Sequence, residues 1–164
     1  MDFVMPKPAT LRGYALHRIA AELADGAKIL FADNGDHLLL RTDKPLALTP
    51  RPLRTLNVSD IIGFELRACV SKKVKGLHRY FPTADWQSRH DWLARQGERH
   101  GFSLITLHCT TTMQPIQAGQ RSFTLDQTDF TGVLKITQLE PFQHALNNGI
   151  GNTAQAFGFG LLII

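Results

Sequence analysis

The chain is poor in cysteine and has no long apolar run. It contains only two cysteines, Cys69 and Cys109, in 164 residues, which is too few for a disulfide framework. Cysteine and histidine nowhere share the spacing of a zinc site, so we expect no bound metal and no cofactor. No apolar stretch approaches the ~20 residues that span a bilayer, and the first residues lack the apolar segment of a secretion signal. We therefore expect a cytoplasmic protein with no membrane contact.

Acidic residues are scarce in the middle of the chain. Residues 67–99 carry eight lysines and arginines against three acids, although the net charge of the whole chain is only +4. This excess indicates either a solvated loop with a basic bias or a segment that follows phosphates, because clustered cations gain affinity by releasing condensed counterions. The cations of the acid-free stretch RACVSKKVKGLHR are Arg67, Lys72, Lys73, Lys75 and Arg79.

Glycine is concentrated near the C-terminal end, in GIGNTAQAFGFGLLII. A dinucleotide or phosphate loop needs glycines that follow a strand and open a helix. Here the order is reversed, since LEPFQHALNN is a predicted helix and LLII a predicted buried strand. The pattern therefore favours a bent connection that needs positive φ and close backbone approach. Its glycines are Gly149, Gly151, Gly158 and Gly160.

The apolar periodicity predicts a regular alternation of strands and helices. A strand at DFVM precedes a helix over about residues 12–24, and AKILFA and HLLLRT form strands joined by a DNGD turn. The proline-rich residues 44–60 are expected to be irregular or to hold at most one short helix. Next come a strand at IIGFELRACV and the basic loop, and then a helix over residues 84–101 with Asp85 as N-cap. Two or three strands and the final helix and strand complete the order.

This order predicts an α+β fold of two ferredoxin-like, RRM-like subdomains in tandem, with antiparallel sheets. We place the N-terminal subdomain at residues 1–66, a basic strand-loop linker at residues 67–82 and the C-terminal subdomain at residues 83–164. RNA-binding modules often use such sheets, although the fold alone does not establish a function.

The first predicted helix carries the residues best suited to chemistry. Its apolar stripe faces the core, while Tyr14 and His17 share the flank with Arg18 beside them. A histidine off the core stripe can exchange protons, which an acid or a base must do. Judged from this helix alone, a surface histidine without a role remains the simpler interpretation. Trp92 and Phe157 are candidates for stacking on a base, but such aromatics are more often core residues.

An ordered set of segments then carries a resemblance to a known family. These segments are YALHR in the first helix, FELRA before the basic loop, WLARQGERHGF, and FTGVLKIT leading into a helix and the glycine turn. The sequence resembles the CRISPR-associated repeat-processing endoribonucleases of the CasE type, which belong to the RAMP superfamily and are subunits of Cascade. The resemblance covers nearly the whole chain.

The resemblance implies a metal-independent nuclease that cleaves CRISPR repeat RNA at the 3′ base of its stem-loop. It assigns catalysis to Tyr14 and His17 and implies that Cascade-like subunits are partners. The candidate RNA contacts are Arg18, Arg67, Lys72, Lys73, Lys75, Arg79, Gly149, Gly151, Gly158 and Gly160. A non-catalytic subunit that holds the repeat hairpin is the main alternative, and an unrelated nucleotide-binding domain is a third.

Overall fold

The structure is a computed structural model that describes residues 1–118, 120–151 and 153–164. Two four-stranded antiparallel sheets and one separate two-stranded hairpin make up its β structure. The α+β class and the tandem ferredoxin-like arrangement predicted from the sequence are confirmed.

The first ferredoxin-like unit is built around a single helix. Its elements are β1 (Asp2–Pro6), α1 (Tyr14–Ala24), β2 (Leu30–Asp33), β3 (His37–Arg41) and β4 (Pro50–Arg51), with the sheet order β2-β3-β1-β4. The usual second helix is absent between β3 and β4, where residues 42–49 are irregular. The stretch predicted to be irregular, residues 44–60, also contains β4, a two-residue strand paired with β1 that the sequence did not predict. Leu16 and Ala20 of α1 pack on Phe3, Phe31 and Leu40 of the sheet. The helix begins at Tyr14 rather than at residue 12, because Gly13 has a φ of 65°.

The second unit repeats the same order of strands. Its elements are β5 (Ile61–Ala68), α2 (Trp86–His100), β8 (Phe102–Ala118), β9 (Arg121–Ile136), α3 (Leu139–Asn148) and β10 (Leu162–Ile163), with the sheet order β10-β5-β9-β8. As predicted, Asp85 caps α2 by accepting a hydrogen bond from the Ser88 N–H, and Gly101 ends the helix in the left-handed conformation. The N-terminal subdomain placed at residues 1–66 includes most of β5. The strands that pair with β5 are β9 and β10, which belong to the second sheet.

The basic stretch forms a hairpin, where the sequence predicted a loop. Its strands are β6 (Ser71–Val74) and β7 (Leu77–Tyr80), and Lys75 and Gly76 form the turn with φ values of 49° and 81°. Positive φ at both central residues is the geometry that matches the twist of a two-residue hairpin. We call residues 71–80 the basic hairpin.

Strands β8 and β9 extend well beyond the rest of their sheet. They pair along their whole length, whereas β5 covers β9 only from Thr128 to Lys135. We call the projecting part, residues 112–118 and 121–127, the arm. Ile116 and Leu125 of the arm are buried against Cys69 and Phe159, so the arm is packed on the body of the molecule and does not stand free in solvent.

A buried arginine joins the two units. The Arg41 guanidinium donates to both carboxylate oxygens of Asp2 at 2.6 and 2.9 Å. It also donates to the carbonyl oxygens of Leu162 and Leu146 in the second unit, at 2.7 and 3.3 Å. The arginine side chain is only 2% exposed, so the first unit is fixed to β10 and to the end of α3 by hydrogen bonds shielded from water.

Candidate RNA-processing site

Tyr14 and His17 lie side by side at the start of α1. Leu16 and Ala20 turn into the core, which leaves these two side chains on the flank of the helix. Their ring centroids are 5.4 Å apart and their planes are tilted by 41°. Tyr14 is 43% exposed and His17 is half-buried, so both rings remain accessible to a substrate.

Phe157, which belongs to the glycine-rich connection, packs against Tyr14. It lies in a short 3-10 helix at Gln155–Phe157, with its ring centroid 6.2 Å from that of Tyr14. On another side the Phe157 ring meets Phe123 of the arm edge-on, at 5.6 Å. One aromatic ring therefore connects Tyr14, the glycine-rich connection and the arm, and this ring is only half-buried.

The four predicted glycines all have positive φ, between 78° and 88°. A Cβ at Gly158 would lie 2.9 Å from the Phe31 ring of the first unit, and one at Gly160 would lie 3.0 Å from the Ile150 carbonyl. Gly151 lies against the Trp92 ring. The glycines thus permit both the bend and the close approach of the two units, and Gly158 makes the tightest approach to the first sheet, where a Cβ at Gly149 would also lie 3.4 Å from Leu30.

Hydrogen bonds close the glycine-rich connection into a defined loop. The Ile150 N–H donates to the Gly160 carbonyl at 2.8 Å, and the Gly160 N–H donates to the Arg67 carbonyl of β5 at 2.7 Å. The side-chain amide of Gln155 donates across the loop to the Gly151 carbonyl at 2.9 Å. We call residues 149–160 the glycine loop.

The basic hairpin presents different cations on its two faces. The cross-strand pairs place Lys73 with His78 on one face and Lys72 with Arg79 on the other. Lys72 lies over the Phe81 ring at 5.2 Å. Lys73 and His78 instead line a cavity of about 560 Å³. The other residues of this cavity are Cys69, Ser71, Trp92, Gln96, Arg99, Gly151 and Thr153.

Tyr80 ties the basic hairpin to the arm. Its hydroxyl donates to the Thr124 carbonyl at 3.2 Å and lies 3.9 Å from the Cys69 sulfur. Burial, with the neighbouring Cys69 as the next cause, raises the pKa of Tyr80 to about 12. Burial also raises the pKa of the Cys69 thiol. Both groups are therefore protonated at neutral pH, where they act as hydrogen-bonding and packing groups.

Arg67 and Arg18, also predicted to contact RNA, already have partners. The Arg67 guanidinium donates to Asp129 at 2.6 Å and to the Asp33 carbonyl at 3.1 Å, and its side chain is 32% exposed. Arg18 lies 4.0 Å from Glu22 on the exposed surface of α1. Arg67 is thus held between the two units, whereas Arg18 remains on the surface beside His17.

A second cleft lies between the start of α1 and the arm, with a volume of about 510 Å³. Phe157 lines it and also touches Tyr14, so the cleft adjoins the catalytic candidates. The sequence analysis did not predict this cleft, nor that Arg99 shares the other cavity with Lys73, since isolated glutamines and arginines carry no spacing signal. The residues missed in the cleft include Arg12, Gln114 and Gln127.

The described residues hold neither a candidate metal site nor a candidate membrane-spanning helix. Across residues 1–118, 120–151 and 153–164, no three side chains of His, Cys, Asp or Glu are grouped so that they could hold a metal ion. In the same part of the chain, no helix is both long and apolar enough to cross a bilayer.

Two ferredoxin-like units, with a glycine loop of the second packed against the first and a tyrosine and a histidine beside that loop, define a tandem ferredoxin-like protein with a candidate acid–base site at the junction. A family model described as CRISPR associated protein matches residues 15–164. The chain therefore belongs to this family of CRISPR-associated proteins. The matched region includes His17 and begins one residue after Tyr14.

Solved structures share the fold over nearly the whole chain. Cse3 of Thermus thermophilus, bound to an RNA that represents a pre-cleavage complex, has a TM-score of 0.83 at 19% identity, covering 99% of this chain and 96% of that one. Cas6e of Escherichia coli K-12 has a TM-score of 0.78 at 22% identity, covering 99% and 98%. A chain of E. coli Cascade bound to a double-stranded DNA target has a TM-score of 0.63 at 21% identity, covering 99% and 96%.

At these identities the likeness to solved structures establishes the fold. Among curated proteins, none matches the chain significantly. The family membership replaces the hypothesis of an unrelated nucleotide-binding domain.

Proposed function

We propose that this protein is a metal-independent endoribonuclease that binds the stem-loop of a CRISPR repeat and cleaves the precursor RNA at the 3′ base of the hairpin. The observation that carries the proposal is the contact between Tyr14 and His17 next to the glycine loop, in a member of a CRISPR-associated family. The RNA-bound Cse3 structures, which share the fold, support the same assignment.

The chemistry follows from the groups that these two residues provide. Cleavage without metal needs a base to take the 2′-OH proton, in-line attack of that oxygen on phosphorus, and an acid to protonate the departing 5′-oxygen. The products are a 2′,3′-cyclic phosphate and a 5′-OH. His17 acts as the base or the acid, while Tyr14 positions the phosphate or shares the proton transfer. Cations near the phosphorane stabilise the charge that develops there.

Stem binding falls to the basic hairpin in this proposal. Lys72, Lys73, Lys75 and Arg79 contact backbone phosphates, since A-form RNA is read mainly by its shape and phosphates. Arg18 extends the cationic surface toward His17. Because Arg67 is ion-paired to Asp129 and donates to the Asp33 carbonyl, it helps to hold the two units together and does not provide a free charge for the RNA. The glycine loop brings backbone close to the RNA, although residues 152–157 include no cation.

After cutting, the protein keeps the mature RNA and joins a Cascade-like complex in the cytoplasm. The similarity to a chain of the Cascade assembly supports this part of the proposal. Retention also follows from the chemistry, because phosphate contacts to the stem are unchanged when the bond beyond its 3′ base is broken.

Cleavage of the repeat RNA in EDTA tests the proposal. Wild-type protein should cut at one site 3′ of the hairpin and leave a cyclic phosphate, and His17→Ala should abolish cutting while retaining hairpin affinity. His108→Ala is the matched control, since His108 is an exposed histidine on β8 of the second unit and lines neither the cavity nor the cleft described above. Tight hairpin binding without cutting by wild-type protein would instead show the alternative, a non-catalytic hairpin-binding subunit.

A further inference from the structure

The cleft between the start of α1 and the arm has no part in stem binding or proton transfer as described above. We propose that it holds the base of the unpaired nucleotide directly 3′ of the cleaved phosphate, so that it contributes to the choice of cleavage site. This inference rests on the proposed function, because it takes the cleaved phosphate to lie at Tyr14 and His17.

The position of the cleft relative to the glycine loop supports this assignment. Gly151 and Thr153, near one end of the loop, line the cavity of Lys73 and His78. Phe157 and Phe159, near the other end, line the cleft. Tyr14 contacts Phe157. A stem held by the basic hairpin therefore lies toward one end of the loop, and the strand that leaves the stem past Tyr14 reaches the cleft.

The cleft has the size and the walls of a base-binding site. Its volume of about 510 Å³ accommodates a nucleotide, and Phe157 and Phe159 provide aromatic walls. Single-stranded RNA is commonly bound by aromatic contact with unstacked bases and by hydrogen bonds to their edges. Its lining includes Arg12 as a cation, while Arg67 is paired with Asp129 and the lining acid Asp33 is paired with Lys7 at 3.0 Å.

Gln127 lines the cleft, and its hydrogen bond to Asp129 fixes which amide atom can accept another hydrogen bond. Its side-chain nitrogen donates to Asp129 at 2.9 Å, and Asp129 in turn accepts from Arg67 at 2.6 Å. Because an ionised carboxylate can only accept, the amide must present its NH₂ group to Asp129. Its carbonyl oxygen is then the group left to accept from an N–H on the edge of a base. Gln114 on β8 adds a second amide to the same cleft.

Binding of two repeat RNAs that differ only at this nucleotide tests the inference. The RNAs carry either the natural nucleotide or an abasic residue directly 3′ of the hairpin, and the protein is His17→Ala, so that no RNA is cut. We expect about tenfold weaker binding of the abasic RNA, the loss typical of removing one base that stacks on an aromatic side chain. In the same background, Gln114→Ala and Gln127→Ala should each reduce this ratio.

Gln143→Ala is the matched control, because Gln143 is an exposed glutamine on α3 and does not line the cleft. Equal affinities for the two RNAs, from a protein whose wild-type form cuts the repeat, would overturn the inference and leave the proposed function standing. A tenfold ratio in a protein whose wild-type form does not cut would overturn the proposed function and, with it, the role of the cleft in the choice of cleavage site. Failure to bind either RNA would overturn both.

Discussion

At the scale of single residues, glycine has the clearest role in this molecule. Gly158 has a φ of 84°, and an ideal Cβ built on it would lie 2.9 Å from the Phe31 ring. Gly26 has a similar φ of 83° but no atom within 4 Å of its ideal Cβ. The two positions therefore separate the cost of backbone conformation from the cost of close approach.

We expect Gly158→Ala to destabilise the protein more than Gly26→Ala. Both substitutions place a side chain in the left-handed region, which costs on the order of 1–3 kcal/mol. Only Gly158→Ala also forces Phe31 to move within the core of the first unit. Urea unfolding of the two variants measures the difference. Equal losses of unfolding free energy would contradict a packing role for Gly158 at the contact between the units.

At the scale of elements, one face of the basic hairpin lines a cavity beside the glycine loop. Lys73 shares a cavity with Arg99 and Gly151, whereas Lys72 covers Phe81 on the other face. If the stem follows the cavity, Lys73 contacts a phosphate directly.

Lys73→Gln should therefore weaken binding of the repeat hairpin and lower the salt dependence of its affinity. Each lost phosphate contact lowers the slope of log K against log salt by about 0.7–0.9. The measurement is a salt titration of hairpin affinity. Lys135→Gln is the matched control, because Lys135 is an exposed lysine on β9, outside both clefts. An unchanged slope in Lys73→Gln would place the stem on the other face of the hairpin.

Most elements could be predicted from local signals in the sequence. Asp85 and Gly101 bound α2 because capping and left-handed termination are local properties of the chain. The basic hairpin was missed because its turn depends on a positive φ at Lys75, which a lysine rarely adopts. The pairing of Tyr14 with His17 followed from helical spacing. The cleft could not be predicted, because its glutamines come from separate strands that only the tertiary fold brings to α1.

At the scale of the whole molecule, the two units meet through Arg41. This arginine and its partner Asp2 are both buried, and the same guanidinium donates to carbonyls of Leu146 and Leu162 in the second unit. Its removal leaves a buried carboxylate unpaired and two carbonyls without this donor. The site lies at the junction, so its geometry depends on this connection.

Arg41→Met should destabilise the protein by about 3–5 kcal/mol, the usual cost of breaking a buried ion pair, and should uncouple the two units. Both tryptophans, Trp86 and Trp92, lie in α2, so tryptophan fluorescence reports the second unit while far-ultraviolet circular dichroism reports both. In urea, we expect the dichroism of Arg41→Met to begin falling before the fluorescence changes.

Arg89→Met is the matched control for this experiment. Arg89 and Asp126 also form a buried ion pair, but both partners belong to the second unit. Its loss should destabilise the unit that fluorescence reports, so the fluorescence transition should not lag behind the dichroism. Coincident transitions in Arg41→Met would show that the remaining contacts, such as Gly158 against Phe31 and Leu161 against the first sheet, are sufficient to couple the units. The junction that holds the site would then be stabilised mainly by apolar packing.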